Sequence, residues 1–302
     1  MTHRVALALV CVLLLVPGAG RGEEGSFDSN GVKIYYYIEG KGEPVLLIHG
    51  FTANAQMQWG LSGILKTLAK DHRVIALDLR GHGKSGKPTE VKQYGIEMVE
   101  DAVRLLDHLE IKKAHVVGYS MGALITSKLL TTHPDRLLSA TLGGAGALPA
   151  GVKLPSYIEK TADSLENGKG IGPLLMFLTP PGKPKPSETA IQTINRMFVG
   201  DNGKQLAAVI RSWKTLAVPL EKLKSNKVPT LALIGEVDPL KESVDVIKDR
   251  MGNLKVVVID GADHVTAFTS PKFIHDLREF LDKHQQKGKA AKKEKAPAGT
   301  GK

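Results

Sequence analysis

Gly118-Tyr119-Ser120-Met121-Gly122 lies between the apolar run Ala114-His115-Val116-Val117 and the helix-like stretch Ala123-Leu124-Ile125-Thr126-Ser127-Lys128-Leu129-Leu130. This order predicts a strand, a sharp turn with Ser120 at its tip, and then a helix. Ser120 must take a strained backbone conformation there, so that its Oγ stands clear of the sheet. Gly118 and Gly122 flank it because side chains at those positions would clash as the helix folds back on the strand. The turn also puts the Met121 N–H at a helix N-terminus, where it can meet a developing negative charge. A bare G-x-S-x-G is only a hypothesis until its context fits, and the strand, turn and helix signals are all in place here.

Working outward, short apolar runs alternate with helical patterns from Pro44 onward. Runs apolar on both faces predict a parallel sheet covered on each side. Before them, Asn30-Gly31 ahead of the β-rich Val32-Lys33-Ile34-Tyr35-Tyr36-Tyr37-Ile38 predicts a hairpin over Phe27 to Glu39. Helices are expected at about 60–70, 95–109, 121–133, 240–251 and 270–285, the last with Ser270 as N-cap and Pro271 in its first turn. Residues 147–225 break the alternation with the Pro-rich Thr179 to Pro186 and helix-like pieces near 155–166, 187–198 and 203–215.

Five pieces taken together carry a resemblance. They are His49-Gly50-Phe51 after Pro44 to Ile48, Asp78 to Ser85 after Arg73 to Leu77, the turn at Ser120, Gly235-Glu236-Val237-Asp238 after Pro229 to Ile234, and Gly261-Ala262-Asp263-His264 after Val256 to Ile259. In this order the chain resembles the α/β-hydrolase superfamily. The resemblance implies an α/β fold with a mostly parallel sheet of about eight strands flanked by helices. It also implies a small helical cap at 147–225, over the sheet edge where ligands bind in open α/β folds. The expected organisation is a leader at 1–22, a core in two parts (23–146 and 226–285) around the cap, and a disordered Lys-rich tail at 286–302.

A serine is a poor nucleophile at neutral pH without a base in reach. His264, in a loop just past a strand, is the candidate base, taking the Ser120 proton and later handing it to the leaving group. Asp238 is the candidate orienting carboxylate, with Glu236 as its competitor, and the chain order Ser, Asp, His is the order of this fold. The stretch Gly143-Gly144-Ala145-Gly146, where some family members carry the acid, has none. His49 and His82 are expected to hold turns, and His115 to pack in the core. The Met121 N–H and, by resemblance, the Phe51 N–H would form the oxyanion hole. Trp59, Tyr119, Met176 and Phe177 are the candidate substrate-pocket residues. The implied activity is that of a serine hydrolase acting on carboxylic esters through an acyl-enzyme. C–C bond, amide or lactone hydrolysis, perhydrolysis, and a non-catalytic binding protein of the same fold are the alternatives.

Composition bounds the rest. Thr2-His3-Arg4, the twelve apolar residues Val5 to Val16 and the small-residue zone Pro17 to Gly20 form a secretory signal pattern, predicting a secreted or periplasmic protein, or one held by an uncleaved N-terminal segment. That apolar run is too short for a membrane span of roughly 20 residues, so stable insertion is not expected. Cys11 is the only cysteine and lies in this leader, which leaves no disulfide, thiolate metal site or Cys nucleophile beyond it. Residues 1–22 and 283–302 carry eight of the ten net positive charges, so the body between them is near neutral and no nucleic-acid partner is expected. No residue cluster has metal-ligand spacing and no G-x-G-x-x-G opens a helix, so neither metal nor cofactor is expected. The expected substrate is a small molecule with an apolar acyl group. The sequence carries no signal of oligomeric state.

Overall fold

A computed structural model describes residues 22–286. All but the last residue of the expected leader, and the basic tail from residue 287 onward, lie outside the described residues. The chain begins with a hairpin of β1 (Glu23–Ser29) and β2 (Val32–Glu39). Its turn residues Asn30 and Gly31 have φ of 56° and 80°, the left-handed pair a type I′ turn requires.

Six further strands follow: β3 (Glu43–Ile48), β4 (His72–Asp78), β5 (Ala114–Tyr119), β6 (Leu137–Gly143), β7 (Thr230–Gly235) and β8 (Leu254–Ile259). They complete an eight-stranded sheet in the order β1-β2-β4-β3-β5-β6-β7-β8. The first two pairings are antiparallel and every later one is parallel. This is the mostly parallel sheet expected from the apolar runs.

The period of two along a strand divides the core into two layers. Leu46 and Ile48 of β3 belong to one buried cluster with Met98, Leu105, Ile125 and Leu129. Those partners come from α2 (Ile96–His108) and α3 (Met121–Thr132). Val45 and Leu47 belong to the other with Ile64, Leu65, Phe273 and Leu277, from α1 (Ile64–Leu68) and α10 (Pro271–Lys283). α10 starts as its sequence predicts, with Ser270 Oγ accepting the Phe273 N–H at 3.1 Å. The helix expected over 60–70 is shorter. A π-helical turn, Gln56–Gly60, precedes it, and Gly63 at φ 76° separates the two.

Between β6 and β7 the chain forms α4 (Ser156–Glu166), α5 (Gly172–Leu178), α6 (Glu188–Phe198), α7 (Gly203–Ser212), a 3-10 turn (Trp213–Leu216) and α8 (Leu220–Lys224). α9 (Lys241–Lys248) then leads from β7 to β8. The insertion leaves and re-enters the core side by side, because Val218 N–H donates to Leu148 O at 2.8 Å and Ala150 N–H to Val218 O at 2.9 Å. Arg211 of α7 meets Glu159, Asp163 and Glu166 at 3.1, 2.6 and 2.8 Å, fastening α7 to α4. Among the described residues, no helix is long and apolar enough to cross a membrane.

Candidate active site

Ser120 links the end of β5 to the start of α3 at φ 55° and ψ −116°, a conformation that non-glycine residues rarely hold. Its N–H is fixed by Gly143 O at 2.7 Å. The flanking glycines are required by contact. A Cβ at Gly118 would lie 2.0 Å from Gly122 O, and one at Gly122 would lie 2.1 Å from Ile48 O. A Cβ at Gly50 would lie 3.2 Å from Ser120 Cβ, so the loop after β3 runs directly beside the nucleophile candidate.

Two loops from distant parts of the chain reach Ser120. His264 Nε2 lies 3.0 Å from Ser120 Oγ, and His264 Nδ1 lies 2.8 Å from Asp238 Oδ2. A carboxylate only accepts, so Nδ1 carries the proton and Nε2 presents its lone pair to the serine hydroxyl. The other Asp238 oxygen accepts the Leu240 N–H at 2.9 Å. Glu236 does not reach the imidazole; it accepts the Gly261 N–H at 2.8 Å and so ties the β7 loop to the β8 loop.

The His264 loop is shaped by its neighbours. Asp263 Oδ1 accepts from the Val265 and Thr266 N–H groups at 3.0 and 2.9 Å and from Thr266 Oγ1 at 2.8 Å. Burial raises the Asp263 carboxyl, but these bonds hold it below its ordinary range. The Tyr119 hydroxyl donates to His264 O at 2.7 Å. Burial first, and then the charges of Asp238 and Asp263, push that phenol well up, so it stays protonated as a donor.

The N–H groups of Phe51 and Met121 have no acceptor among the described residues. Their surroundings are rigid. Gly50 N–H donates to Gln58 Oε1 at 2.7 Å. His49 donates from Nδ1 to Gly50 O at 2.7 Å and accepts the Leu79 N–H at Nε2 at 3.0 Å. Burial lowers the His49 pKa and keeps the ring neutral. Asp78 accepts the Ala55 and Lys84 N–H groups at 2.8 and 2.7 Å, joining the loops after β3 and β4.

The pocket expectations need correction. Trp59 is 0 % exposed in the core layer under α1 and α10, so it has no surface to offer a substrate. Tyr119 is 3 % exposed and serves as the prop of the His264 loop described above. Met176 of α5 is exposed on the insertion. Phe177 stacks on Tyr157 of α4 at 3.7 Å between ring centroids and 13° between planes. Tyr157 was not foreseen, because one aromatic in a helical pattern carries no sign of what it faces. Burial, and then the charge of Asp238, push its phenol up to about 12. His275, Asp276 and Glu279 on α10 bring metal-ligand atoms within 4.8 Å of one another; Asp276 there is paired with Lys272 at 2.8 Å.

A family model described as alpha/beta hydrolase fold matches residues 43–169. A 2-hydroxymuconate semialdehyde hydrolase from Pseudomonas sp. (strain CF600) is 36 % identical over 127 residues, 41 % of this chain and 43 % of that protein. The first two curated relatives that it matches are covered over only 28 % and 43 % of their own lengths. A pimeloyl-[acyl-carrier protein] methyl ester esterase from Aeromonas hydrophila subsp. hydrophila is 28 % identical over 254 residues, covering 80 % of this chain and 96 % of the esterase. Among solved structures, the enol-lactonase from Burkholderia xenovorans LB400 superposes with a TM-score of 0.72 at 20 % identity, over 85 % of this chain and 100 % of the other. At that identity the likeness speaks to the fold.

Proposed function

We propose that this chain, which belongs to the α/β-hydrolase superfamily, is a serine hydrolase that cleaves carboxylic esters of small molecules through an acyl-enzyme. Ser120 Oγ attacks the ester carbonyl while its proton passes to His264 Nε2. Asp238 holds the imidazole in the reactive tautomer and stabilises the imidazolium. The carbonyl oxygen, now carrying the negative charge, accepts from the Phe51 and Met121 N–H groups. The tetrahedral adduct collapses and the C–O bond to the alcohol breaks. His264 returns the proton to the departing oxygen. Water then attacks the acyl-enzyme with His264 again as base, releasing the acid and restoring Ser120.

The relay from Ser120 through His264 to Asp238, at 3.0 and 2.8 Å, carries this reading. A fluorophosphonate probe tests the nucleophile, and p-nitrophenyl esters of rising chain length test the bond. Labelling at Ser120 with turnover of at least one ester is expected; a folded protein that is neither labelled nor active would refute the assignment. C–C bond hydrolysis on the same relay is the second reading, favoured by the 36 % identity to the semialdehyde hydrolase over 127 residues. Labelling of Ser120 without turnover of any ester would select it.

A further inference from the structure

Ser120, Asp238 and His264 follow the C-terminal ends of β5, β7 and β8. The opposite end of the sheet, where the parallel strands begin, has a construction of its own. Glu43 opens β3 and accepts from His115 Nε2 at 3.0 Å and from the Gln286 N–H at 3.2 Å. Gln285 Nε2 lies 3.1 Å from Nε2 of His72, the first residue of β4. The end of the described chain is thereby fastened here, just after α10. Glu43 and Gln286 line a cavity of about 450 Å³ together with Arg73, Lys112 and Lys113. The register pairs Pro44 with Arg73 and Val45 with His115. Arg73 at the start of β4 and the two lysines just ahead of β5 therefore stand on either side of β3.

Arg73, Lys112 and Lys113 have no acidic partner among the described residues. Lys41 and Lys70, in the connections into β3 and β4, and Lys283, the last residue of α10, extend the same end of the sheet and have none either. Two acids of these connections are committed: Asp71 pairs with Arg278 at 2.6 Å and Asp107 with Arg136 at 2.8 Å. Glu110, Asp135 and Asp282 have no cation partner among the described residues. With Glu43 they leave the unpaired cations in excess, six to four. Beyond Gln286 the sequence adds six lysines and one glutamate over residues 287–302. Like charges gathered at one end of a molecule repel, and an anionic surface relieves that repulsion.

We propose that this end of the sheet and residues 287–302 together dock the protein on an anionic lipid surface, with Ser120 at the far end of β5 and turned toward the water. The charge and the point where the chain leaves the fold carry the assignment, because the lysines of the sequence that follows are delivered to the face that already holds Arg73, Lys112 and Lys113. All but one of the cations are lysines. An ammonium acts as a point charge without the fork that reads a phosphate bidentately, which suits a diffuse field of headgroups. No Trp, Tyr or Phe lines the cavity or occurs in residues 287–302, so nothing is there to stack on nucleic-acid bases. Residues 287–302 also lack any large apolar side chain, so the contact is electrostatic and reversible rather than an insertion.

The test is sedimentation of the full chain with vesicles. Binding is expected to phosphatidylcholine vesicles containing about one third phosphatidylglycerol, and not to phosphatidylcholine alone. Raising the salt from about 0.1 M to about 0.5 M should weaken it by about tenfold or more. Lys112→Glu with Lys113→Glu, and separately Lys287→Gln with the same change at Lys289, Lys292, Lys293, Lys295 and Lys302, are each expected to weaken binding by about tenfold or more. Both variants change exposed or C-terminal lysines and should keep the thermal midpoint of the wild type, which shows that they fold. Equal sedimentation with neutral and anionic vesicles would overturn the proposal. So would wild-type binding by either variant, since the sheet end and the C-terminal lysines are proposed to act together. Duplex DNA that strips the protein from the vesicles at matched phosphate would overturn the lipid assignment. The assay reads no turnover, so its outcome is independent of the ester reading.

Discussion

Ser120 holds its strained φ of 55° only because the turn around it is over-determined: Gly143 O takes its N–H and two glycines clear the space for α3. Strain of about 1–3 kcal/mol is tolerable when the surroundings supply it, and here it leaves Oγ 3.0 Å from His264 Nε2. Ser120→Ala should therefore abolish ester turnover and fluorophosphonate labelling while leaving the thermal midpoint at or above that of the wild type. The two carboxylates near His264 should separate cleanly. Asp238→Asn presents an amide to the imidazole and invites the wrong tautomer, so kcat should fall by roughly 10⁴-fold, as in Ser-His-Asp enzymes generally. Glu236→Gln keeps an oxygen for the Gly261 N–H and should leave kcat close to wild type. Stopped-flow or steady-state assays of the two variants would check this, and a larger loss for Glu236→Gln would reverse the assignment of the acid.

Among the elements, the connection from β5 to α3 has the least slack. A methyl at Gly118 would meet the Gly122 carbonyl oxygen at 2.0 Å, and backbone there has no room to retreat. Gly118→Ala is expected to cost about 1–3 kcal/mol or more in urea unfolding and to lower labelling of Ser120. Ser270→Ala, which removes the cap of α10 on the far layer, should cost about 1 kcal/mol and leave kcat unchanged. The same contrast explains what could be read along the chain. Strand–turn–helix junctions announce themselves because glycine placement and apolar runs are local, so the hairpin, β3, β4, β5, β7 and β8 and α2, α3, α9 and α10 are visible in the residues. α5 and α8, of seven and five residues, carry too few periodic positions to be distinguished from loop. The pocket was illegible for another reason. Whether Trp59 faces a ligand or the core depends on which layer its turn packs against, and that is decided by partners such as Phe273, more than 200 residues away in sequence. Trp213 meets the Phe51 ring only through the way the insertion packs against the loop after β3, which no spacing in the chain encodes.

Taken as a whole, the molecule has placed two neutral imidazoles in its interior where the loops after β3 and β4 meet, with their rings 5.1 Å apart. Burial lowers the pKa of each, that of His82 to about 3. The sign of the consequence follows from proton counts. Between the ordinary histidine value, about 6.5, and the folded value, the unfolded chain binds protons that the native fold refuses. Stability contributed by keeping these rings neutral is thus fully present above about pH 6.5 and is lost as the pH falls toward 3. Each such group can give a slope of up to about 1.4 kcal/mol per pH unit. Unfolding free energy, taken from urea titrations at several values between pH 4.5 and 7, should therefore decline on acidification. His82→Phe should flatten that slope by about one proton, even if the substitution lowers stability at every pH, because the slope counts protons and not contacts. An unchanged slope in the variant would mean that His82 already takes up its proton in the folded state.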